Sequence, residues 1–432
     1  MEERTKIVRN AFSNLGISPE EFSSLVGIDA LQLGSFIEGS ALPGLTLTKR
    51  IHDIGKSKPK YKDLRSEHSF RFIDLFAGIG GFRLPFQEAG GECVFSSEID
   101  QYAQATYAAN FGEVPHGDIC QVPAAEIPDH DILLGGFPCQ AFSQAGLKKG
   151  FDDTRGTLFF EIQRILVEKQ PAAFVLENVK RLRTHNEGKT LETILGILRG
   201  NSDVNVPANI AISDETRQAL TTKLNYEVQT RVLNARDFGV PQNRERIIIV
   251  GINKDKVPRK HNNAIEGAFE FPKPTHKSTS LGKILESNIE KHIRAYTISS
   301  KMWRGHQERK KRNASNGKGF GFGLVSHNSP YANTISARYW KDGSEILIDQ
   351  RDIGCERPRT LTEREAANLQ GFPKQFRVDA VSKKELYKQM GNSVAVPMIR
   401  AVCNELTDTL RALGMIAPAS NPDHPLFLRK AS

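Results

Sequence analysis

The sequence predicts an α/β fold: a doubly wound, mixed but mostly parallel sheet, with a smaller second domain and an N-terminal helical domain. Three observations predict it. Between about residues 69 and 275, short apolar runs at 93–97, 131–135, 173–176 and 247–250 alternate with stretches of helical spacing. Such runs suit strands covered by helices on both faces. That rhythm stops over 276–385, a region rich in Gly, Arg, Ser and Tyr, and resumes with a helix after Ser393. Ahead of the sheet pattern, residues 1–66 carry short amphipathic stretches at 5–15, 19–26, 29–37 and 45–54. The expected division is 1–66, then 69–275 together with 386–416, then 276–385, with 417–432 as a tail.

In chain order, the N-terminal unit comes first. A turn at Gly27 and Ile28 suits a helix-turn-helix pair of the repressor type. A helical appendage packed on the main domain explains the same pattern equally well. The basic, Pro-containing stretch 55–62 reads as a linker. The first strand closes at Asp74, and Gly78, Gly80 and Gly81 turn the chain into a helix. Their order is F-x-G-x-G-G rather than the dinucleotide-binding G-x-G-x-x-G. Glu98 closes the next strand, where an acid can grip ribose hydroxyls.

Cys139 follows the strand at 131–135, at the edge where open α/β sheets place their chemistry. A thiol there can act as a covalent nucleophile, although most free cysteines are small core residues. The loop 140–156 is rich in Gly and basic residues and suits a lid. The strand at 173–176 then ends in Glu177, Asn178 and Val179. Two neighbouring strand ends thus present a thiol and a carboxyl group. The polar stretch 197–222 interrupts the pattern. Arg244 and Arg246 stand just before the strand at 247–250.

Composition narrows the field. The chain has 432 residues and a formal charge of +9, with a pI near 9.2. That excess is compatible with a polyanionic partner. Five cysteines, none spaced C-x-x-C and none near a His cluster, argue against zinc or any other metal site. They suit reduced thiols in the cytoplasm. No signal peptide and no apolar run long enough for a membrane span is visible.

Several ordered motifs now converge. Pro138, Cys139 and Gln140 with Glu177, Asn178 and Val179 resemble the core of the DNA cytosine-5 methyltransferases. Residues 72–81 resemble the family's cofactor loop, and 242–247 its arginine motif. Residues 357–362 with 370–373 and residues 389–394 resemble its last two blocks. The resemblance spans about residues 69–410, and since the family's smallest members lack a stretch like 197–222, it implies a surface insertion there. It implies a Rossmann-like methyltransferase core that binds S-adenosyl-L-methionine, with 276–385 as the target-recognition domain.

By the same resemblance the cofactor site comprises Phe76, Gly78, Gly80, Gly81, Glu98, Ile99, Asp118, Ile119, Pro138, Asn392 and Val394. Cys139 would attack C6 of a flipped cytosine while Glu177 hydrogen-bonds N3, and Arg244 and Arg246 would orient the base and support the thiolate. The base that removes the C5 proton is not identified. Ser143 would touch the target phosphate. Arg304, Lys318, Arg338 and Tyr339 are the candidate DNA-reading residues. The segments 317–323 and 334–343 resemble recognition regions of methylases acting on CCWGG and CCNGG sites.

The implied partner is double-stranded DNA, and the implied protein is a monomeric methylase of a restriction-modification system, with self-repression through the N-terminus left open. Two alternatives share part of the pattern. An RNA cytosine-5 methylase would normally lack both the recognition region and the N-terminal unit. A repressor with a vestigial enzyme domain would not require an intact Cys139 and Glu177.

Overall fold

The computed structural model describes residues 2–138, 158–201, 212–275, 279–287, 293–317 and 319–418. Helices α1 (Glu2–Leu15), α2 (Pro19–Val26), α3 (Ala30–Glu38) and α4 (Leu45–Gly55) come first. Local chemistry sets their ends. Ser18 and Asp29 cap α2 and α3 in capping boxes closed by Glu21 and Gln32. These satisfy backbone N–H groups that a helix start leaves bare. Gly27 ends α2 at φ 70°, a left-handed conformation that glycine adopts freely. Ala30, Leu31 and Gln32 are exposed on α3, which holds no Lys or Arg.

Among the described residues, six strands form the central sheet: β1 (Phe70–Leu75), β2 (Gly91–Ser97), β3 (Ile132–Gly136), β4 (Ala173–Val179), β5 (Tyr226–Asn234) and β6 (Glu245–Asn253). Their order is β2-β1-β3-β4-β6-β5. β1 through β4 pair in parallel, and β6 runs antiparallel to both β4 and β5. The sheet is thus mixed and mostly parallel, as the sequence predicts.

Between and after the strands lie α5 (Arg83–Glu88), α6 (Gln101–Phe111), α7 (Leu158–Lys169), α8 (Lys189–Leu198), α9 (Asp214–Ala219), α10 (Ser300–Ser315), α11 (Glu363–Leu369), α12 (Lys383–Asn392) and α13 (Val396–Ala412). Successive strand residues point to opposite faces. Phe72, Leu134, Val175 and Val250 pack under α5 and α13 on one face. Ile73, Leu133, Leu176 and Ile249 pack under α7 and α8 on the other.

The stretch 197–222 is described at 197–201 and 212–222, where Ser213, Asp214, Glu215, Gln218, Thr221 and Thr222 are exposed, as expected of a surface insertion, while Thr216 and Ala219 are buried. In α9, Thr216 is fully buried and donates to Glu161 Oε1 at 2.9 Å. The buried Arg164 of α7 bridges Glu161 and Glu215. Thr216, a polar residue that reads as solvent-facing, is satisfied by a buried partner, which hydropathy cannot reveal.

The region 276–385 carries α10, α11 and a short parallel pair, β7 (Leu324–Val325) with β8 (Leu347–Ile348). It docks through Leu281, Ala332, Ile335 and Tyr339 onto Ala77, Leu84, Phe111 and Val396. Among the described residues, no helix is long and apolar enough to cross a membrane.

Candidate active site

Parallel strands bring equivalent ends to one edge of a sheet. β1 to β4 accordingly deliver Phe76, Glu98, Pro138 and Glu177 to the same side. β6 runs the other way, so its first residues reach that edge. Arg246 lies opposite Val179 in the β4–β6 ladder, and its Nε stands 2.8 Å from Glu177 Oε1. Burial pushes the Glu177 carboxyl above its ordinary value, and the charges of Arg246 and Arg244 oppose that rise without cancelling it.

Arg244 is buried as well but turns elsewhere. Its Nη1 donates to Ile335 O at 3.2 Å, and its Nη2 to Gly391 O at 2.9 Å and to Ser393 O. Gln242, fully buried, donates to Leu369 O and accepts from Ile335 N. These side chains knot the segment at Ile335 to the turn at 391–393. Arg246 therefore stands at the site, while Arg244 stands one layer behind it. Asn178 adds a further tie, donating its Nδ2 to Phe137 O at 2.8 Å. That bond holds the chain two residues before Cys139. Cys139 itself, and the loop with Ser143, lie outside the described residues.

A cavity of about 900 Å³ opens at this edge, within the range of small-molecule sites. Phe76, Gly78, Gly81, Glu98, Ile99, Asp118, Ile119, Pro138, Asn392 and Val394 line it together with Glu177 and Arg246. Gly80 serves the turn instead. Its φ is 84°, and a Cβ there would meet the Phe111 ring at 2.3 Å. Gly78 N donates to Glu98 Oε2, and Asp100 N to Glu98 Oε1, each at 2.8 Å. Burial raises the Glu98 carboxyl above its ordinary value, against these bonds. Sequence reasoning missed Ile212, Ser213, Lys388 and Gln389 in the cavity wall. Gln389 stands inside a quoted motif, but Ile212 and Ser213 gave no signal.

Comparison with known proteins agrees with this geometry. The profile of the C-5 cytosine-specific DNA methylase family matches residues 70–201 and 215–408. The chain is a C-5 cytosine-specific DNA methylase. The type II methyltransferase M.SsoII of Shigella sonnei is 52% identical over 407 residues, covering 93% of this chain and 97% of that protein. A match of that extent reaches into the N-terminal helices. M1.ScrFI of Lactococcus lactis subsp. cremoris is 51% identical over 80% of each chain. Among solved structures, the Dnmt2 methyltransferase of S. pombe superposes with a TM-score of 0.59 at 19% identity, covering 80% of this chain and 99% of its own. That likeness shows the fold.

The cofactor of this methylase is S-adenosyl-L-methionine, and the cavity fits it. A carboxylate can accept more bonds than the two N–H groups Glu98 already holds, which leaves acceptors for ribose hydroxyls. Phe76, Ile99 and Ile119 line the cavity with apolar surface that would suit a purine ring, and Ile99 is 72% exposed. The missing Cβ of Gly78 opens onto free space.

The methylase's DNA-reading candidates divide. Arg304 and Arg338 are exposed. Tyr339 is 1% exposed, and its hydroxyl donates to Ile346 O and accepts from Leu361 N. It is core, not a DNA contact, because both hydrogen-bonding capacities are spent inside. The exposed aromatic beside it is Trp340. Lys318 lies outside the described residues. On α10, Trp303 packs on Phe322, His306 bonds Asp342 O and Arg309 pairs with Asp342. Arg304, Lys310, Lys311 and Arg312 remain exposed.

The two arginines should respond differently to substitution. Arg246→Met removes the charge beside Glu177, so the Glu177 carboxyl should titrate at still higher pH, with little loss of stability. Arg244→Met leaves buried carbonyls without donors and should cost stability by about 3 kcal/mol. Carboxyl-labelled NMR titration and denaturant unfolding separate the effects. An unchanged Glu177 titration in Arg246→Met would contradict the pairing.

Proposed function

We propose that this methylase modifies C5 of a cytosine within a short duplex sequence of the CCNGG kind, through a covalent bond from Cys139 to C6. The observation that carries the mechanism is the buried Glu177 carboxyl, raised toward its protonated form and oriented by Arg246 at the cavity that Pro138 also lines. Cytosine in a duplex cannot reach such a site, so the base must leave the stack. The Cys139 thiolate then adds to C6, a step that only the ionised thiol performs well. Glu177 donates to N3, which stabilises the negative charge that addition at C6 places on the ring and leaves an enamine whose nucleophilic carbon is C5. S-adenosyl-L-methionine, when bound, supplies the methyl group that C5 takes. A base takes the C5 proton, and elimination across C5–C6 releases the Cys139 thiolate.

Arg246 keeps the Glu177 carboxyl facing the base, and Asn178 fixes the start of the nucleophile's loop through Phe137 O. The proposed division of labour assigns sequence reading to 276–385, with Arg338 and Arg304 as exposed cations there. Neither belongs to the sheet edge that holds the cofactor residues. On this reading the protein works in the cytoplasm as a monomer on double-stranded DNA, as the modification enzyme of a restriction-modification pair.

DNA carrying 5-fluorocytosine at the target should trap a covalent complex, because fluorine at C5 blocks the elimination. Wild type should give a denaturation-resistant adduct, whereas Cys139→Ser should give none and should turn over below about one thousandth of the wild-type rate, a hydroxyl being a far weaker nucleophile. An adduct in Cys139→Ser would sink the assignment. Arg338→Ala should relax methylation at one base of the site, since a bidentate arginine–guanine contact discriminates by ~1–3 kcal/mol. Cofactor affinity should not change. A methylation map identical to wild type would remove Arg338 from the readout.

A further inference from the structure

We infer that the N-terminal helical unit is a working part of the cofactor site at one remove, with Arg377 as the positioning residue that links them. The inference rests on the cavity being the cofactor site. Helix α6 is the shared element. Its N-cap, Asp100, follows directly on Glu98 and Ile99 of the cavity wall, and its Gln104 Nε2 donates to Glu98 O at 2.6 Å. The opposite face of α6 is buried by the helical unit. Ala105 and Ala108 lie in one apolar cluster with Phe22, Leu25, Val26, Ile51 and Ile54.

Polar contacts fix the orientation of that interface. Arg50 of α4 donates to Leu25 O at 2.9 Å and to Gln101 Oε1, on the first residue of α6, at 3.3 Å. Arg377, 8% exposed, donates to Ile54 O at 2.6 Å and to Asp53 O. It therefore caps the end of α4, where free carbonyls and the helix dipole favour a cation. The backbone of Arg377 grips Asn110 of α6 in both directions: Arg377 N donates to Asn110 Oδ1 at 2.7 Å, and Asn110 Nδ2 donates to Arg377 O at 3.1 Å. One turn back on α6, Thr106 accepts from Asn110 through its carbonyl and donates its hydroxyl to Gln389 Oε1 at 2.9 Å. Gln389 lines the cavity.

The path from α4 to the cavity is thus continuous: α4 carbonyls, Arg377, Asn110, Thr106, Gln389. Asn110 and Thr106 are fully buried, so none of these bonds can be replaced by water without repacking. A helix held on one face by the N-terminal unit and on the other by the cavity wall transmits displacement between them. Loss of the brace should loosen Glu98 and Gln389 together, and the cofactor should sense it before DNA does.

The test uses the full-length protein and S-adenosyl-L-methionine as the probe. Arg377→Met and Thr106→Val should each raise the KM and calorimetric Kd for the cofactor about tenfold. The turnover rate at saturating cofactor and the affinity for target DNA should hold near wild type. Arg377→Lys, which keeps a cation at the α4 carbonyls, should recover most of the affinity. Lys56→Ala, which breaks only the outer Lys56–Asp379 bridge, should leave all of these unchanged. Thr106→Val is nearly isosteric, so it reports even if Arg377→Met folds poorly. A general loss of stability, with turnover, DNA affinity and cofactor affinity falling alike, would overturn the inference. So would unchanged cofactor affinity in both variants. If the cavity were not the cofactor site, Glu98→Ala would also bind the cofactor normally, which separates that failure from this one.

Discussion

The direction of one strand governs the site. Four parallel strands bring their carboxyl ends to a common edge, and that edge alone would offer loops, glycines and acids. Reversal of β6 adds the start of a strand, with Arg246 in register against Val179 and its side chain on Glu177. The same ladder that buries Ile248, Ile249 and Val250 in the core fixes where the guanidinium stands. The site's electrostatics therefore follow from main-chain pairing. The Glu177 carboxyl is desolvated by burial and steered by a charge that the antiparallel neighbour places there.

Behind this edge, buried polar side chains replace apolar contact as the mortar between distant segments. Arg244 alone touches the carbonyls of Ile335, Gly391 and Ser393. Gln370 adds a bond to Met390 O, and Gln242 joins Gln370 to Ile335. An unmade bond in such a setting costs about 1–3 kcal/mol, so the arrangement tolerates few alternatives. Gly391 belongs to this constraint too, since a Cβ there would lie 2.2 Å from Ala337 N. The segment at 336–337 is thus pressed against the turn that carries Asn392.

Much of this was legible in the sequence because it is local. Periodicity placed the four N-terminal helices to within a few residues, and Ser18, Asp29 and Gly27 fix the ends of α2 and α3 by short-range bonds. The alternation of apolar runs gave the layered sheet. Glu98, Glu177 and the glycine turn stood at strand ends, where function is expected in this architecture. What stayed hidden depends on partners far away in the chain. Nothing in the stretch around Thr216 announces that Glu161 and Arg164 will bury it. Tyr339 and Trp340 are adjacent aromatics, and only the fold decides which one faces inward. The docking of the N-terminal helices on α6 rests on Ala105 and Ala108, residues too small to signal an interface, and on the main-chain carbonyls of Asp53 and Ile54, which carry no sequence signature at all.

The central claim is that Glu177 acts as an acid, in a site that desolvation holds toward the protonated form. The pH dependence of single-turnover methyl transfer in wild type and Glu177→Gln tests it most directly. A carboxyl with a raised pKa keeps its proton at low pH and surrenders it as pH climbs through that value, so wild-type transfer should decline on the alkaline side. Glutamine donates a hydrogen bond at every pH. Glu177→Gln should be slower throughout and should lack that alkaline decline. The same alkaline decline in both proteins would contradict the account.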